Sequence, residues 1–450
     1  MNVSYENFIK SSKYVPIVMW AIPSDKFLHP CATDVSLVFI KLVRSKETYC
    51  FSFNHPDLVS IVDKTTFIDD LISRENKTWV FNKQSFKHLL KINPSLNLNL
   101  LDFDLFNHLQ KNETIDVQSL ETTAHKFIYR TKRDCGDLNK TIPLLKHKEV
   151  FEKMCETFFE ADTSILHIGY ERENETILDT LIELESNGIY VNSECFKKHF
   201  DAKIQPNGLV YSRYNIHTST GRPSNHFDNV NYAALNKDNG VRDCFSSRYG
   251  DDGVMVMIDY SAFHPRIICN LVNFKMSIEE DIYKYLGELY FNRNVIEYDM
   301  EEIKSITMRQ LYGGVEEKYE HIKYFSILKE FINFYWESFK RNGFIHTPVF
   351  NRIITNQHLK DANPNKLFNY ILQATETEIS MSAIKMVNRY LRDKKTKAVL
   401  YTYDALLFDF HKGDGKETLD MLMYIMKMGN KFPIKVYMGS SYASLIQIYP

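Results

Sequence analysis

Apolar and polar positions in the first third of the chain predict one unit that mixes strands with helices. Polar residues 44–47 separate two apolar runs, a pattern typical of a β-hairpin. The expected strands are 15–20, 36–43, 48–53 and 78–81. The expected helices are 67–72, 85–90 and 101–109. This unit should end near residue 150.

The rest of the chain predicts long helices and a few buried strands. Residues 148–186 should be helical, because Ile177, Leu181 and Leu184 recur at the spacing of one helix face. Short polar segments run through 208–242. Buried strands are expected at 254–258, 398–402 and 406–408, with mostly helix between the first two. Strands and helices mixed in this way are typical of an α/β or α+β protein.

Composition excludes several classes of protein. The chain has 450 residues, 44% hydrophobic and 25% charged, with 16 Gly and 13 Pro, which excludes disordered and collagen-like chains. No apolar run approaches the roughly 18 residues that cross a bilayer, and the N-terminus lacks a signal-peptide pattern, so we expect a cytoplasmic protein. Seven Cys without a CxxC pair predict reduced thiols. The net charge of -2, taken alone, argues against strong non-specific binding of nucleic acid.

Two acids beside apolar strands are the sharpest candidates for chemistry. Asp259 directly follows the run 254–258, and Asp404 lies where a hairpin turn is expected. A carboxylate at the end of an apolar strand is costly to desolvate unless it meets a cation. Two such carboxylates, if they converge, could hold paired Mg²⁺ ions for in-line phosphoryl transfer. Taken singly, each acid is more often a turn or capping residue.

A predicted helix between the two acids carries a second candidate group. Lys304, Met308 and Tyr312 are spaced four residues apart and therefore share one helix face. A cation, an apolar side chain and an aromatic ring on one face could grip a triphosphate and support a base. The ordinary alternative is a surface lysine above a packed methionine and tyrosine.

Two further segments suit contacts with nucleic acid. Arg222 lies in the polar loop 218–225, which suits phosphate or minor-groove contact, although such a loop on its own is common. Asn369 and Gln373 lie four residues apart on a predicted helix and could hydrogen-bond base edges or sugars.

Taken in order, these segments resemble the family A DNA polymerases, the DNA polymerase I family. Their sequence pattern is most similar to that of bacteriophage replicative polymerases. The matching segments, which fall within residues 176–450, are Thr220-Gly-Arg-Pro-Ser-Asn225 for Thr-Gly-Arg-Leu-Ser-Ser, Asn229-Val-Asn-Tyr232 for Asn-Leu-Gln-Asn, Val241-Arg-Asp-Cys-Phe245 for Ile-Arg-x-x-Phe, Asp259 to Arg266 for motif A, Lys304 to Gly313 for motif B, Asn369-x-x-x-Gln373 for the same spacing in the family, and Tyr403-Asp404-Ala405 for the His-Asp-Glu of motif C.

The resemblance implies a role for each matched residue. Asp259 and Asp404, with the carbonyl of Tyr260, would bind two Mg²⁺ ions, and Lys304 would complete the catalytic set. The nucleotide-binding residues would be Lys304, Met308, Tyr312, His264 and Tyr283. The DNA-binding residues would be Arg222, Arg242, Arg266, Asn369, Gln373 and Tyr403.

Several motif positions depart from the family. His264 replaces the motif A Glu that excludes ribonucleotides, but an imidazole can still block a 2′-hydroxyl, so we expect a preference for deoxynucleotides. Ala405 replaces the second acid of motif C and cannot bind metal. Met300 replaces a phosphate-binding Arg of motif B, and Met308 replaces its Phe, as in single-subunit phage RNA polymerases.

Two whole domains also depart from the family. Only residues 193–208 stand where the family has its helical thumb, which predicts a weak grip on duplex DNA. The N-terminal third resembles the 3′–5′ exonuclease domain of the same family, which is RNase H-like. However, Ala21-Ile22-Pro23 replaces its metal-binding Asp-x-Glu, so we expect this fold without proofreading.

The resemblance implies an α+β fold. In it a polymerase right hand, with an antiparallel palm sheet, helical fingers and a reduced thumb, is joined to that N-terminal α/β domain. The predicted divisions are 1–150 for the degenerate exonuclease-like domain, 151–250 for a helical linker, vestigial thumb and the start of the palm, 251–275 for the palm with motif A, 276–365 for the fingers with motif B, and 366–450 for the palm with motif C.

The predicted function is template-directed addition of dNTPs to a primer 3′-hydroxyl by two-metal-ion transfer, in phage genome replication within the host cytoplasm. The expected partners are primer–template DNA, dNTPs and a processivity or replisome protein, with no membrane.

An RNA polymerase or primer-synthesising relative is an alternative that His264, Met308 and the small thumb favour. A non-catalytic replisome subunit is another, which Ala405 and the missing exonuclease acids favour. A third alternative is an unrelated Mg-dependent phosphohydrolase, but it requires the order of the motifs to be a coincidence.

Overall fold

The computed structural model describes residues 4–58, 62–93, 96, 99–124, 142–163 and 168–449. The chain forms two compact units, Met1–Ser186 and Asn187–Pro450. Part of the predicted helix 148–186, at residues 164–167, lies outside the described residues.

The first unit is built on a five-stranded mixed sheet. Its strands are β1 (Ile17–Pro23), β2 (Val35–Leu42), β3 (Thr48–Ser52), β4 (Thr78–Phe81) and β5 (Leu100–Asp102), in the order β3-β2-β1-β4-β5. β1 pairs antiparallel with β2 and parallel with β4. The helices are α1 (Tyr5–Ser12), α2 (Lys64–Ile72), α3 (Lys83–Leu89), α4 (Phe103–Lys111), α5 (Val117–Ala124), α6 (Leu144–Glu160) and α7 (Ile168–Ser186).

The strands of this sheet are apolar because both of its faces are covered. Every residue of β3 and β4 is buried, as expected for a sheet packed on two sides. The predicted hairpin is confirmed, since β2 and β3 pair antiparallel. Residues 101–102 belong to a strand and not to the predicted helix, because they pair with β4. Asp102 then caps α4 by accepting the N–H of Leu105.

The second unit is built on an antiparallel five-stranded sheet. Its strands are β11 (Gly253–Tyr260), β14 (Lys397–Thr402), β15 (Ala405–His411), β16 (Ile434–Gly439) and β17 (Ile446–Tyr449), in the order β14-β15-β11-β16-β17. The smaller strands are β6 (Ile189–Tyr190), β7 (Leu209–Val210), β8 (Tyr214–Asn215), β9 (Ser224–Phe227), β10 (Val230–Asn231), β12 (Phe344–His346) and β13 (Ile353–Thr355). The predicted strands around 254–258, 398–402 and 406–408 are confirmed.

Helices fill the rest of the second unit. They are α8 (Ser193–His199), α9 (Phe263–Leu271), α10 (Ile282–Phe291), α11 (Met300–Gly313), α12 (Lys323–Asn342), α13 (Pro364–Tyr390) and α14 (Gly415–Met426). α13 begins at a proline behind Asn363, whose side chain accepts the N–H of Lys366. Most residues of α13 from Ile371 to Ile384 are buried, so this helix is part of the core.

The mixed helices and antiparallel sheets confirm the predicted α+β class. Within the described residues, no helix combines the length and the apolar character needed to cross a membrane. The expectation of seven reduced thiols is wrong, because Cys195 and Cys244 form a disulfide. Their Cα atoms lie 5.2 Å apart although the two residues are 49 positions apart in sequence, a proximity that cysteine spacing alone does not reveal.

Candidate active site

The two predicted acids lie side by side at the ends of neighbouring strands. β11 pairs antiparallel with β15, which places Asp259 opposite Ala405. Asp404 lies in the tight turn between β14 and β15, and the backbone N–H of Tyr260 donates to the carbonyl oxygen of Asp404 at 2.9 Å. Tyr403, the other residue of this turn, has a left-handed φ of 68°, a strained conformation that is common at functional sites.

The pKa of each of these carboxyls is higher than that of an ordinary aspartate. Burial raises the pKa of Asp259 to about 7, with a further contribution from the charge of Asp404 and an opposing one from Lys435. The pKa of Asp404 is also raised, first by the protein packed around it and then by Glu376, against the effect of Arg222. Two carboxyls whose pKa values are raised by burial and by a neighbouring carboxylate favour a cation beside them.

The donor atoms present fit a divalent metal. Asp259 Oδ1 is buried without a hydrogen-bond partner, so one carboxylate oxygen remains available for a ligand. Carboxylate oxygens are the donors that Mg²⁺ prefers. Ala405 supplies no donor, which leaves Asp259 and Asp404 as the acids that could share a pair of ions.

The helix α11 presents the predicted face to open space. Lys304 is exposed and Met308 and Tyr312 are half-buried, whereas Ile303, on the opposite side of the helix, is buried. The Lys304 ammonium lies 5.8 Å from the centre of the Tyr283 ring, so the structure brings these two predicted nucleotide-binding residues together. The same helix thus offers an exposed cation and two half-buried side chains to a ligand.

A buried carboxylate, Glu376, joins several of the predicted residues. Arg222 Nη2 donates to Glu376 Oε1 at 3.2 Å, and Arg222 Nε lies 3.0 Å from Oε2. His264 Nε2 lies 3.2 Å from the same Oε2, and His264 Nδ1 makes a short hydrogen bond with the Tyr312 hydroxyl. The Arg222 guanidinium stacks on the Tyr403 ring, with its carbon 3.8 Å from the ring centre. One carboxylate therefore organises an arginine, a histidine and, through the histidine, a tyrosine.

Sequence reasoning missed Glu376, although a signal for it was present. Asn369, Gln373 and Glu376 are spaced four and three residues apart, so they follow one face of α13. Asn369 Nδ2 donates to the carbonyl of Tyr312 at 3.1 Å, and its Oδ1 is buried without a hydrogen-bond partner. This face of α13 therefore carries the two amides and, one turn further on, the Glu376 carboxylate that contacts Arg222.

Gly221 is required by the loop that carries Arg222. Its φ of +72° is left-handed, and a Cβ there would lie 1.7 Å from Arg352 Nη1. Arg352 is 4% exposed and its Nη2 donates to the carbonyl of Thr218 at 3.0 Å. A buried arginine that the sequence did not point to therefore fixes the path of this loop.

The structure argues against one predicted DNA contact and restricts another. Arg266 is 4% exposed, and its guanidinium donates to the carbonyls of Ser277, at 2.8 Å, and Glu280. Both terminal nitrogens of its guanidinium thus donate inside the fold, which argues against a contact with DNA. Arg242 is half-buried, donates to the carbonyl of Leu235 at 3.0 Å and lies over the Tyr442 ring.

Lys435 is a third residue that sequence reasoning missed. β16 pairs antiparallel with β11, and Lys435 stands directly opposite Asp259. Paired residues in adjacent strands point to the same face of a sheet. Lys435 therefore adds a cation to the face that carries the acids, and its charge lowers the otherwise raised pKa of Asp259.

Comparisons with known proteins agree with this architecture. No family model matches the chain. A curated DNA polymerase of Bacillus phage SP01 is 22% identical over 314 residues, which cover 59% of this chain and 33% of the phage protein. The POL domain of Pol1 from M. smegmatis, solved as a complex with DNA primer-template and dNTP, is 14% identical with a TM-score of 0.70 and covers 99% of both chains. The chain therefore has the α+β fold of the Pol1 polymerase domain, and its resemblance to the family A DNA polymerases is confirmed at the level of the fold.

Proposed function

We propose that this protein is a template-directed DNA polymerase that adds dNTPs to a primer 3′-hydroxyl. The observation that carries the proposal is the placement of Asp259 and Asp404 at adjacent strand ends, each with a raised pKa and one with a free buried oxygen. The fold shared with the Pol1 polymerase domain and the sequence similarity to a phage polymerase support it.

Asp259 and Asp404, with the Tyr260 carbonyl, would hold two Mg²⁺ ions. Bound there, the ions would supply charge stabilisation for the attacking and leaving oxygens of an in-line transfer. Lys304 approaches from α11 and neutralises charge on the triphosphate. Lys435, opposite Asp259, adds positive charge on the same sheet face.

The cluster around Glu376 would hold the sugar and base of the incoming nucleotide in place. Tyr312 and Met308 form the wall against the new base pair, with Tyr283 behind Lys304. His264, fixed between the Tyr312 hydroxyl and Glu376, blocks the space of a 2′-hydroxyl. Arg222, Arg242, Asn369, Gln373 and Tyr403 would contact the primer–template.

We also propose the finer organisation predicted above. The second unit would contain palm, fingers and a reduced thumb, with α8 in the place of most of the thumb. The first unit would be an exonuclease-like domain without proofreading, since Ala21-Ile22-Pro23 replaces the metal-binding Asp-x-Glu. Asp102, a nearby acid, uses its carboxylate oxygens to accept the N–H groups of Lys83 and Leu105. Phage genome replication in the host cytoplasm, with a processivity partner, fits the similarity to a phage polymerase.

A ribonucleotide polymerase or primer-synthesising enzyme is the second candidate. His264 in place of a gate carboxylate and Met308 in motif B favour it. The contacts of His264 with Tyr312 and Glu376 argue for a rigid wall at this point and hence for deoxynucleotides.

Primer extension on one primed template tests the proposal and separates the candidates. The full chain is given labelled dNTPs or labelled rNTPs with Mg²⁺, and a competitor trap limits each chain to one binding event. Extension with dNTPs supports the proposal, and we expect each binding event to give only a short product. Extension with rNTPs alone supports the second candidate. No extension with either, by a chain that still binds the primer–template, identifies a non-catalytic subunit.

A further inference from the structure

Three metal-ligating side chains meet away from the proposed polymerase site. Cys195 and His199 lie four residues apart on one face of α8, and Cys244 ends the 3₁₀ helix Val241–Cys244 that packs beside it. One ligand atom of each of the three lies within 4.8 Å of the others. Cys244 is buried, Cys195 is half-buried and His199 is exposed, so the group opens to solvent on one side.

The backbone around the group holds both cysteines in place independently of the bond between them. Asn192 donates its N–H to the carbonyl of Cys244 at 2.8 Å, and its side chain accepts the N–H of Cys195 at 2.9 Å. Phe196 and Phe245, which are the next residues along each segment, are fully buried and meet edge to face at 5.9 Å. Opening the disulfide would therefore leave the two sulfur atoms as neighbours.

This donor set has a clear chemical preference. Two thiolates and one imidazole suit a thiophilic divalent cation, above all Zn²⁺, whose charge two thiolates neutralise. Lys197 and Lys198 lie in the last turn of α8 with His199, and nearby ammonium groups favour thiolates. Three protein ligands leave the fourth tetrahedral position to water, and the exposed side at His199 provides room for it.

We propose that reduced Cys195 and Cys244, together with His199, bind one Zn²⁺ ion, and that the disulfide is the metal-free, oxidised form of the same site. A dithiol opens the disulfide by exchange: its two S–H bonds and the protein S–S bond become its own S–S bond and two protein S–H bonds. Each protein thiol then releases its proton to solvent as the cation binds.

The bound metal and the disulfide would each cross-link the same two segments of the chain. Either one joins α8, which stands where most of a thumb is missing, to the short helix that carries Arg242. Reduction without metal would release this connection, so the melting temperature should follow the order oxidised or Zn²⁺-bound above reduced and metal-free. The metal site stands whether or not the chain is a polymerase.

Cobalt binding by the full chain tests the inference directly. The protein is reduced with a phosphine, which does not compete for the metal, and titrated with Co²⁺ in the absence of oxygen. We expect a thiolate-to-cobalt charge-transfer absorption that saturates at one equivalent and is lost when Zn²⁺ is added. The oxidised chain should give no such absorption. Absence of the band from the reduced wild-type protein would overturn the inference, and so would its presence in the oxidised protein.

Substitutions assign the ligands. Cys195→Ser and Cys244→Ser should abolish the charge-transfer band, and His199→Ala should weaken the Co²⁺ affinity roughly tenfold or more. Cys31→Ser, at a half-exposed cysteine in the first unit, is the matched control and should leave the band unchanged. A band that survives in the double variant Cys195→Ser/Cys244→Ser contradicts the assignment. A variant that fails to fold does not affect the test on the wild-type protein.

Discussion

The backbone N–H of Tyr260 donates to the carbonyl oxygen of Asp404 at 2.9 Å. This hydrogen bond extends the pairing of β11 with β15 into the turn, so the two acids are set by main-chain geometry and not by their own flexible side chains. A site held in this way keeps its spacing in the absence of ligand, which is the preorganisation that metal-dependent transfer requires.

Removal of either acid should abolish nucleotide addition. Asp259→Asn and Asp404→Asn keep the shape of the side chain but remove the charge, and we expect single-turnover primer extension to fall by about two orders of magnitude or more. Circular dichroism and melting should show an intact fold.

Asp251→Asn is the control for this pair. Asp251 is an exposed acid just before the opposite end of β11, so its loss should leave extension unchanged. Extension at the wild-type rate by Asp259→Asn or Asp404→Asn would show that the catalytic acids lie elsewhere.

Lys304 should contribute mainly to dNTP binding. Its ammonium is exposed on α11 and free to meet a triphosphate, so Lys304→Ala should raise the KM for dNTP roughly 10- to 100-fold, and Lys304→Arg should restore part of the loss. Steady-state extension over a range of dNTP concentrations measures this. Arg309→Ala, on the same helix but paired with Glu316 at 3.1 Å, should change KM little. Equal effects of the two alanine variants would argue against a specific role for Lys304.

Glu376→Gln should relax sugar selection. The amide has no charge to hold Arg222 at 3.0 Å and His264 at 3.2 Å, so the histidine ring becomes less fixed against Tyr312. We expect the ratio of rNTP to dNTP incorporation to rise about tenfold, because the loss of one such interaction changes a relative rate by about that factor. Competition assays with both nucleotides on one template give the ratio.

Glu378→Gln is the matched control on the same helix. Glu378 is equally buried but accepts hydrogen bonds from the Thr347 hydroxyl at 2.5 Å and the Phe350 N–H at 3.1 Å. Its substitution should leave the nucleotide ratio unchanged. The idea fails if both glutamine variants shift the ratio to the same extent.

Glu378 should make the free energy of unfolding depend on pH. Burial raises the pKa of Glu378 to about 7 from the 4.5 of an ordinary glutamate. Between these values the folded chain keeps a proton that the unfolded chain has lost, so this group reduces stability as the pH rises from about 4.5 to 7. Glu378→Gln stays neutral and should be more stable than wild type by roughly 1–3 kcal/mol at pH 8, with the difference vanishing near pH 4.

Urea unfolding of wild type and variant at several pH values measures this difference. Glu417→Gln, at an exposed position of α14, is the control and should show no pH-dependent gain. A Glu378→Gln variant less stable than wild type at pH 8 would mean that its two hydrogen bonds outweigh the cost of burying its charge.

The sequence by itself determined the parts of this protein that local patterns encode. Apolar runs predicted β1 to β4 in the first sheet and β11, β14 and β15 in the second, and the turn between β14 and β15 determined the position of Asp404. The four-residue spacing of Lys304, Met308 and Tyr312 fixed the open face of α11, because helix geometry alone places such residues in line. These features need only neighbours in sequence.

Tertiary structure alone decided which distant groups meet. Glu376 reaches Arg222 across 154 positions, Cys195 reaches Cys244 across 49, and Arg266 turns inward to the carbonyls of Ser277 and Glu280. The motif pattern placed Arg266 on DNA because a cationic side chain looks the same in sequence whether its partner is a phosphate or a backbone carbonyl. Only the packing of the helices against the sheet brings one of those partners within hydrogen-bond distance, and that packing is a property of the whole chain.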